Sequence, residues 1–432
     1  MNRTIYAGIV NAIAPLLALR VRLRARSDAF YGAHMGERFG RYEPGALAAG
    51  RPVWVHAVSL GETRAAQPLV KALLDRGLPV LLTHMTATGR REGARLFAQA
   101  IEQGQLRQSW LPYDLPAACR RFYAAMQPRC GILIEREVWP NLIHAARQIG
   151  LPIALVSARL SERSARAGQR YGGSALRQAY AGLDKVLAQT EGDAQRLRAS
   201  GARAVSVTGN IKFDAAVAPA QVKRGRAWKQ AWHRKTIAIA STQDGEEAAF
   251  IAALAAHAPG SDALVVLIPR HPERFDGVFD LLQSAGLRTI RRSRIDPAQA
   301  LPADTQVLLG DSMGEMVSYY AASDAAIVAG SFIAHGGQNL IEACATGTPV
   351  IVGPHTQNFE QATIEGIAAG AVLRQPDAAS ALTAAFDLLG DPDRREAMSQ
   401  AGLRYVARHA GAVQRVLDAM APMLGLAPTP HA

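Results

Sequence analysis

Apolar and polar positions alternate in blocks along this chain. Short apolar runs over residues 53–58, 79–84, 131–134, 153–156, 185–188 and 204–208 read as buried strands. Between them, residues 65–76, 90–100, 115–126, 141–149 and 192–199 carry apolar side chains at helical spacing. A polar, basic stretch over 215–235 breaks the pattern and reads as a linker. The pattern then restarts, with strands expected over 236–240, 263–269, 305–309, 325–329 and 349–352. Helices are expected over 246–257, 275–285, 315–322 and 340–346. Residues 378–424 are helical in pattern and run into a loose LAPTPHA. Strands alternating with helices predict parallel sheets covered on both faces. The expected class is α/β with two Rossmann-like domains, 28–214 and 236–432, the second carrying the helical tail. Ligands of such sheets bind beyond the strands' C-terminal ends, so a cleft between the domains is the expected site.

The first 27 residues stand apart. Residues 4–19, TIYAGIVNAIAPLLAL, are apolar and uncharged, and Arg20, Arg22, Arg24 and Arg26 follow before the first acid, Asp28. A spanning helix needs roughly 20 apolar residues, and Pro15 can kink this one. A signal peptide would carry its charge before the apolar run, not after it. The pattern predicts a membrane anchor, spanning or lying in the interface, with everything C-terminal to it on the cytoplasmic side. The alternative is a helix docked on the protein's own surface.

Composition narrows the partners. The chain has 432 residues, long enough for two cores, with 49% apolar and 19% charged residues. Its formal net charge of +12 favours a polyanionic partner: nucleic acid, an anionic membrane or a phosphorylated substrate. The positive charge is spread and no basic segment is rich in aromatics, which argues against nucleic acid. Cys119, Cys130 and Cys344 show neither paired nor metal-ligand spacing and read as reduced cytosolic thiols.

Candidate chemistry gathers at strand ends. VSLGET (58–63) places Glu62 near a helix N-terminus after the first strand. It suits a general base, or it merely complements the helix dipole. In IEREVWPN (134–141), Glu135 and Glu137 share a face if the segment is extended, unless both are solvated loop acids. VSARLSERS (156–164) carries cationic and hydroxyl groups. TGNIKFD (208–214) carries Lys212, either solvated or poised to neutralise a developing negative charge.

In the second half, ASTQDGEE (240–247) places Ser241 and Thr242 near a helix N-cap. IPRHPERF (268–275) places Arg270 between Pro269 and Pro272, able to reach phosphate or base. LGDSMGEM (309–316) is a Gly-flanked turn with backbone N–H groups available to an anion. The richest segment is IVAGSFIAHGGQNLIEACATGTPVIVGP (327–354). It runs strand, Gly-rich turn, helix, strand, with Asn339 and Glu342 one helical turn apart. That is the pattern of a nucleotide-sugar donor site, or else of an ordinary structural turn.

Taken in order, these motifs resemble the Kdo (3-deoxy-D-manno-octulosonic acid) transferases of lipopolysaccharide biosynthesis. The resemblance spans nearly the whole chain. It includes GERFGRY (36–42), MTATG, LPYDLP, EREVWPN, GNIKFD, PRHPERF, GDSMGEM and GGQNLIEA with GPHTQNF. It implies a GT-B fold and transfer of Kdo from CMP-Kdo to the lipid A precursor, without metal or other cofactor. It further implies Glu62 as catalytic base, with Glu135 and Lys212 stabilising the transition state. Pro269, Arg270, Met313, Gly314, Glu315, Asn339, Leu340, Ile341 and Glu342 would contact CMP. The chain departs from the family pattern at Gln243, Ser157, Ala329 and Leu340–Ile341, none of them an expected catalytic residue. A membrane-associated GT-B transferase using a UDP-sugar is the enzyme alternative, and a basic nucleic-acid-binding protein the non-enzyme one.

Overall fold

The computed structural model describes residues 1–42, 50–168, 173–214, 217–257 and 262–426. They form two compact units, Met1–Ala215 with His409–Ala432, and Ala216–Arg408. The end of the tail after Leu426 and the first two residues of the expected linker lie outside the described residues.

The first unit holds strands β1 (Val53–His56), β2 (Val80–His84), β3 (Leu106–Trp110), β4 (Cys130–Ile134), β5 (Ile153–Ala158), β6 (Lys185–Ala188) and β7 (Val205–Val207). All pair in parallel, in the order β3-β2-β1-β4-β5-β6-β7. The strand order therefore reverses between β1 and β4. β1, β2, β4 and β5 are buried on both faces, as continuous apolar runs require.

The second unit repeats the plan with β8 (Thr236–Thr242), β9 (Leu264–Pro269), β10 (Thr289–Arg291), β11 (Val307–Leu309), β12 (Ala325–Val328), β13 (Val350–Val352) and β14 (Val372–Arg374). The order is β10-β11-β9-β8-β12-β13-β14, again all parallel, with its reversal between β8 and β12. Three strands escaped the sequence pattern: β3, β10 and β14. Each is the edge of its sheet, half covered, so LRQSW, TIR and VLR lack the apolar run of a central strand.

Two expectations about domain limits differ from the structure. Within the expected linker, Pro219–Trp232 is a helix of the second unit. It buries Trp228 and Trp232. At Gly225 it approaches so closely that an added Cβ would lie 2.2 Å from the Ser318 carbonyl oxygen. Two tryptophans and one glycine make the contact, so the remaining positions stay polar and read as linker. The other difference is helix Ala412–Leu424, which belongs to the first unit. Its Val416, Leu417, Met420 and Leu424 join the core of Val53, Leu69, Val80 and Ile132. Asp214 accepts from Gly411 N at 2.7 Å and from Val413 N at 2.5 Å, fixing the helix N-terminus to that unit.

Helix Arg3–Ser27 contains Pro15 and is long and apolar enough to cross a membrane, by length and composition. One side touches the first unit: Val21 is buried, Tyr6 hydrogen-bonds Asp114, and Met1 O accepts from Ala175 N at 3.1 Å. Ile5, Ile9, Ile13, Leu16, Leu19 and Leu23 form an exposed stripe along the helix.

Candidate active site

In the first unit the turn after β1 leads straight into helix Leu60–Leu74, whose N-cap is Ser59. Glu62, in the first turn, bends back so that its Oε2 accepts from Val58 N at 2.7 Å. A carboxylate at a helix N-terminus with such a bond is ordinarily more acidic than usual. Here burial, then the charges of Glu137 and Glu135, push Glu62 up to about 7, against the pull of Val58 N–H and Lys212. The capping contact holds the group in place, and burial together with the neighbouring acids makes it more basic. A carboxylate titrating near neutrality is matched to taking a proton from a hydroxyl.

Glu135 follows β4, on the other side of the strand-order reversal. The expected extended segment is not formed. Glu135 is left-handed, with φ of 62°, and tight turns link Arg136 N to Ile134 O and Val138 N to Arg136 O, each at 2.9 Å. Glu135 and Glu137 consequently have different surroundings. Lys212 Nζ lies 2.8 Å from Glu135 Oε1, and Arg159 Nε lies 2.6 Å from Oε2. Burial opposes ionisation of Glu135, but these two cations win and hold it below the usual carboxylate range. Glu137 is pushed upward by burial despite its 2.7 Å bond from Trp139 Nε1. Glu135 is thus held towards its ionised form, while Glu62 and Glu137 bind a proton more readily than an ordinary carboxylate.

A polar network sets Lys212. Asn210 Oδ1 accepts from Lys212 N at 3.0 Å and Asn210 Nδ2 donates to Gln189 Oε1 at 3.2 Å. Gln189 Nε2 in turn donates to the carbonyl of Ser157, a left-handed residue at the β5 bulge. Non-glycine residues in this conformation cost energy, and they cluster where side chains must be aimed.

In the second unit the reversal between β8 and β12 is bridged by Glu246, buried and accepting from Gln243 N (3.0 Å), Gly330 N (2.7 Å) and Phe332 N (3.0 Å). Arg270 follows β9, its N–H donating to Thr242 O at 2.9 Å. Asn339 Nδ2 donates to Glu342 Oε1 at 2.9 Å, and Asn339 Oδ1 accepts from Ile341 N at 3.1 Å. The charges of Glu342 and Arg270 both act on the buried Tyr320 hydroxyl, in opposite directions. Leu340 and Ile341 are core side chains. Met313 is exposed, and Gly314 beside it has φ of 79° with open space at its Cβ position. The Glu315 carboxylate is held by Arg292 Nη2 at 3.0 Å and Ser312 Oγ at 2.5 Å.

A family model described as 3-deoxy-D-manno-octulosonic-acid transferase matches residues 33–215, and one described as glycosyl transferases group 1 matches residues 294–405. The 3-deoxy-D-manno-octulosonic acid transferase of Bordetella pertussis is 56% identical over 98% of this chain and 100% of its own length. That of Haemophilus influenzae is 34% identical over 98% of this chain and 99% of its own length. The chain belongs to the Kdo transferase family. Its activity is Kdo transfer in lipopolysaccharide biosynthesis, and its fold is GT-B. Acinetobacter baumannii MurG shares the fold, with a TM-score of 0.56 and 12% identity over 86% of this chain and 100% of that one.

Of the residues singled out in this Kdo transferase, Glu62, Glu135 and Lys212 come together in the first unit. Asn339 and Glu342 are in contact in the second, where Arg270 and Glu342 both act on Tyr320. Leu340 and Ile341 offer a ligand only their backbone, and Glu315 is committed to Arg292. Arg159, Glu137, Asn210 and Glu246 were not singled out for roles. Each lies inside a strand-end motif, and that position was their one signal.

Proposed function

We propose that this Kdo transferase moves Kdo from CMP-Kdo to a lipid A precursor, an acylated glucosamine disaccharide bisphosphate (lipid IVA). The acceptor hydroxyl gives its proton to Glu62 and its oxygen attacks the anomeric carbon of Kdo. The bond from that carbon to the CMP phosphate oxygen breaks, CMP leaves with the electron pair, and the configuration inverts. The observation that carries this reading is the contrast between Glu62, pushed up to about 7, and Glu135, kept ionised by Lys212 and Arg159. One group is free to accept a proton while the others hold fixed charge around it. Lys212 and Glu135 act on the charge of the transition state.

In the second unit, Arg270 with Pro269, the Met313–Gly314–Glu315 turn and the Asn339–Glu342 segment bind CMP. Charge-assisted hydrogen bonds from Arg270 and to Glu342 supply most of the affinity. No metal or other cofactor takes part in this proposal, the fixed cations serving instead. The arginines that follow the apolar segment of the N-terminal helix support a location on the cytoplasmic face of the bacterial inner membrane, against anionic lipid.

Mass spectrometry of the product from CMP-Kdo and lipid IVA tests the proposal, with and without EDTA. An acceptor heavier by one or more Kdo residues, undiminished by EDTA, is expected. Transfer from a UDP-sugar instead, or loss of activity with EDTA, overturns the corresponding part.

A further inference from the structure

Arg38 is a buried cation without a counter-ion. It is 2% exposed and makes no ion pair with any described residue. Its Nη1 donates to Met85 O at 3.2 Å, while Nε and Nη2 have no hydrogen-bond partner. Its guanidinium stacks 3.8 Å over the Trp110 ring, within hydrogen-bonding reach of the neutral Tyr113 side chain and close to that of Tyr31, neither of which is a counter-ion. The neighbouring Glu37 does not serve it, because that carboxylate accepts from Trp110 N at 2.8 Å and pairs with Arg90 at 3.5 Å. Removing a guanidinium from water without an anion is costly, and buried unsatisfied donors are rare enough to need a reason.

The reason lies in what Arg38 faces. It lines a cavity of about 220 Å³ with Leu17, Arg20, Val21 and Arg24 of helix Arg3–Ser27, and with Met85, Thr86, Tyr31 and Tyr113. No carboxylate lines this cavity, which has room for several times the ~30 Å³ share of one water. One wall is the apolar N-terminal helix. The other is one hydrogen bond from the catalytic turn. Thr86 Oγ1 donates to Val58 O at 3.0 Å, and Val58 N holds Glu62. Helix Ala87–Leu96 packs there so closely that a Cβ on Gly89 would meet Val58 O at 3.1 Å.

We propose that this cavity binds a phosphate monoester of the lipid acceptor, with Arg38 beneath it and Arg20 and Arg24 at its mouth. Leu17 and Val21 give the first atoms of the lipid an apolar surface, and the phosphate fixes the sugar's distance from Glu62. Arginine suits the task because its planar fork meets phosphate oxygens with paired donors. The inference rests on the reading of the acceptor as a phosphorylated glycolipid.

The test uses the full-length protein with three acceptors: the bisphosphorylated disaccharide and the two monophosphorylated forms. The wild type should lose about 10- to 100-fold in kcat/KM when the bound phosphate is removed, mostly through KM. Arg38→Met, and separately the exposed pair Arg20→Ala with Arg24→Ala, should fall by a similar factor on the full acceptor and no longer distinguish it from that monophosphorylated form. The exposed pair keeps the test sound should Arg38→Met fold poorly. Variants that keep the wild-type discrimination overturn the proposal.

A second arm does not depend on the acceptor. Vesicles carrying phosphatidic acid, a monoester, should bind the wild type more tightly than vesicles carrying phosphatidylglycerol, a diester, and both variants should lose that preference. Equal binding to the two by the wild type assigns the arginines to bulk anionic headgroups and overturns the proposal. Wild-type turnover that ignores both acceptor phosphates, beside an intact monoester preference, would instead count against the acceptor reading alone.

Discussion

Lys212 Nζ and Glu135 Oε1 are 2.8 Å apart, in a pair whose acid is almost wholly buried and whose base is mostly so. Arg159 holds the other carboxylate oxygen, so Glu135 has two cations. Removing Lys212 leaves the buried acid with half its compensation. Lys212→Met is expected to raise the Glu135 pKa, to lower the melting temperature at neutral pH, and to cut kcat more than it changes CMP affinity. The stability supplied by this pair is present above the ordinary carboxylate range and is lost as pH falls through the lowered pKa of Glu135. The difference in melting temperature between variant and wild type should therefore shrink towards acid pH. Melting curves at pH 7 and pH 4 with single-turnover rates check it.

Glu62→Gln keeps the shape and the acceptor for Val58 N–H but cannot take up a proton. Transfer is expected to fall by about 100- to 10,000-fold, with CMP binding retained. In the wild type, kcat/KM should rise with pH through about 7, the value to which burial, Glu137 and Glu135 push Glu62. A raised carboxylate pKa means that the folded state binds the proton more tightly, so ionising Glu62 destabilises the fold as pH climbs from the unfolded value to about 7. Glu62→Gln should accordingly melt higher than the wild type at pH 8, and the two should converge at pH 4.

Most of this site could be read from the chain. VSLGE, EREVWPN and GNIKFD each follow an apolar run, and the ends of parallel strands converge by construction. Convergence points to a shared site, whereas the grouping of Glu62, Glu135 and Lys212 as a catalytic set came from the resemblance. What stayed hidden depends on backbone geometry or on partners distant in sequence. The left-handed turn at Glu135 separates it from Glu137, and an extended reading put them on one face. Arg159 reaches Glu135 across 24 positions, which no local pattern reports. The edge strands and helix Pro219–Trp232 were missed for a common reason, since half-covered elements need few apolar residues.

Close to the Glu62 turn lie two buried histidines. His56 Nδ1 contacts Thr83 Oγ1 at 2.9 Å and His84 Nδ1 contacts Ala57 O at 3.0 Å. Burial pulls both down to about 3, with His84 adding to the shift of His56 and Arg90 to that of His84. Below the ordinary histidine range the unfolded chain takes up protons that the folded one refuses. Stability should fall as pH drops from about 6.5 towards 3. Thermal melts from pH 7 to pH 5 should show the decline, and His84→Gln should make it shallower.

Arg270→Ala and Glu342→Ala should each weaken CMP binding by about 10-fold or more, the scale of a charge-assisted hydrogen bond. Asn339 ties Glu342 at 2.9 Å and does not share its charge. Asn339→Ala should therefore cost less than Glu342→Ala, and combining the two should add little beyond Glu342→Ala. Calorimetric titration of the wild type and the four variants with CMP checks this. Unchanged affinity in both single-charge variants would remove these residues from the donor site.

The N-terminal helix divides its two faces between protein and surroundings. Val21 is buried and Tyr6 is bonded to Asp114, while Ile9, Ile13 and Leu16 lie on the exposed stripe. Replacing two stripe residues leaves the docked face intact, which removing the whole helix would not. Ile9→Glu with Leu16→Glu should release the protein from membranes, because each change removes buried apolar area and adds a charge repelled by anionic lipid. Arg20, Arg22, Arg24 and Arg26 remain, each contributing about 1 kcal/mol near an anionic surface. The variant's residual binding should therefore vanish in high salt, whereas the wild type should resist the same wash. Its melting temperature and CMP affinity should match the wild type. Sedimentation with anionic vesicles at low and high salt separates these outcomes. A variant that sediments like the wild type in high salt would show that this stripe does not hold the protein to the bilayer.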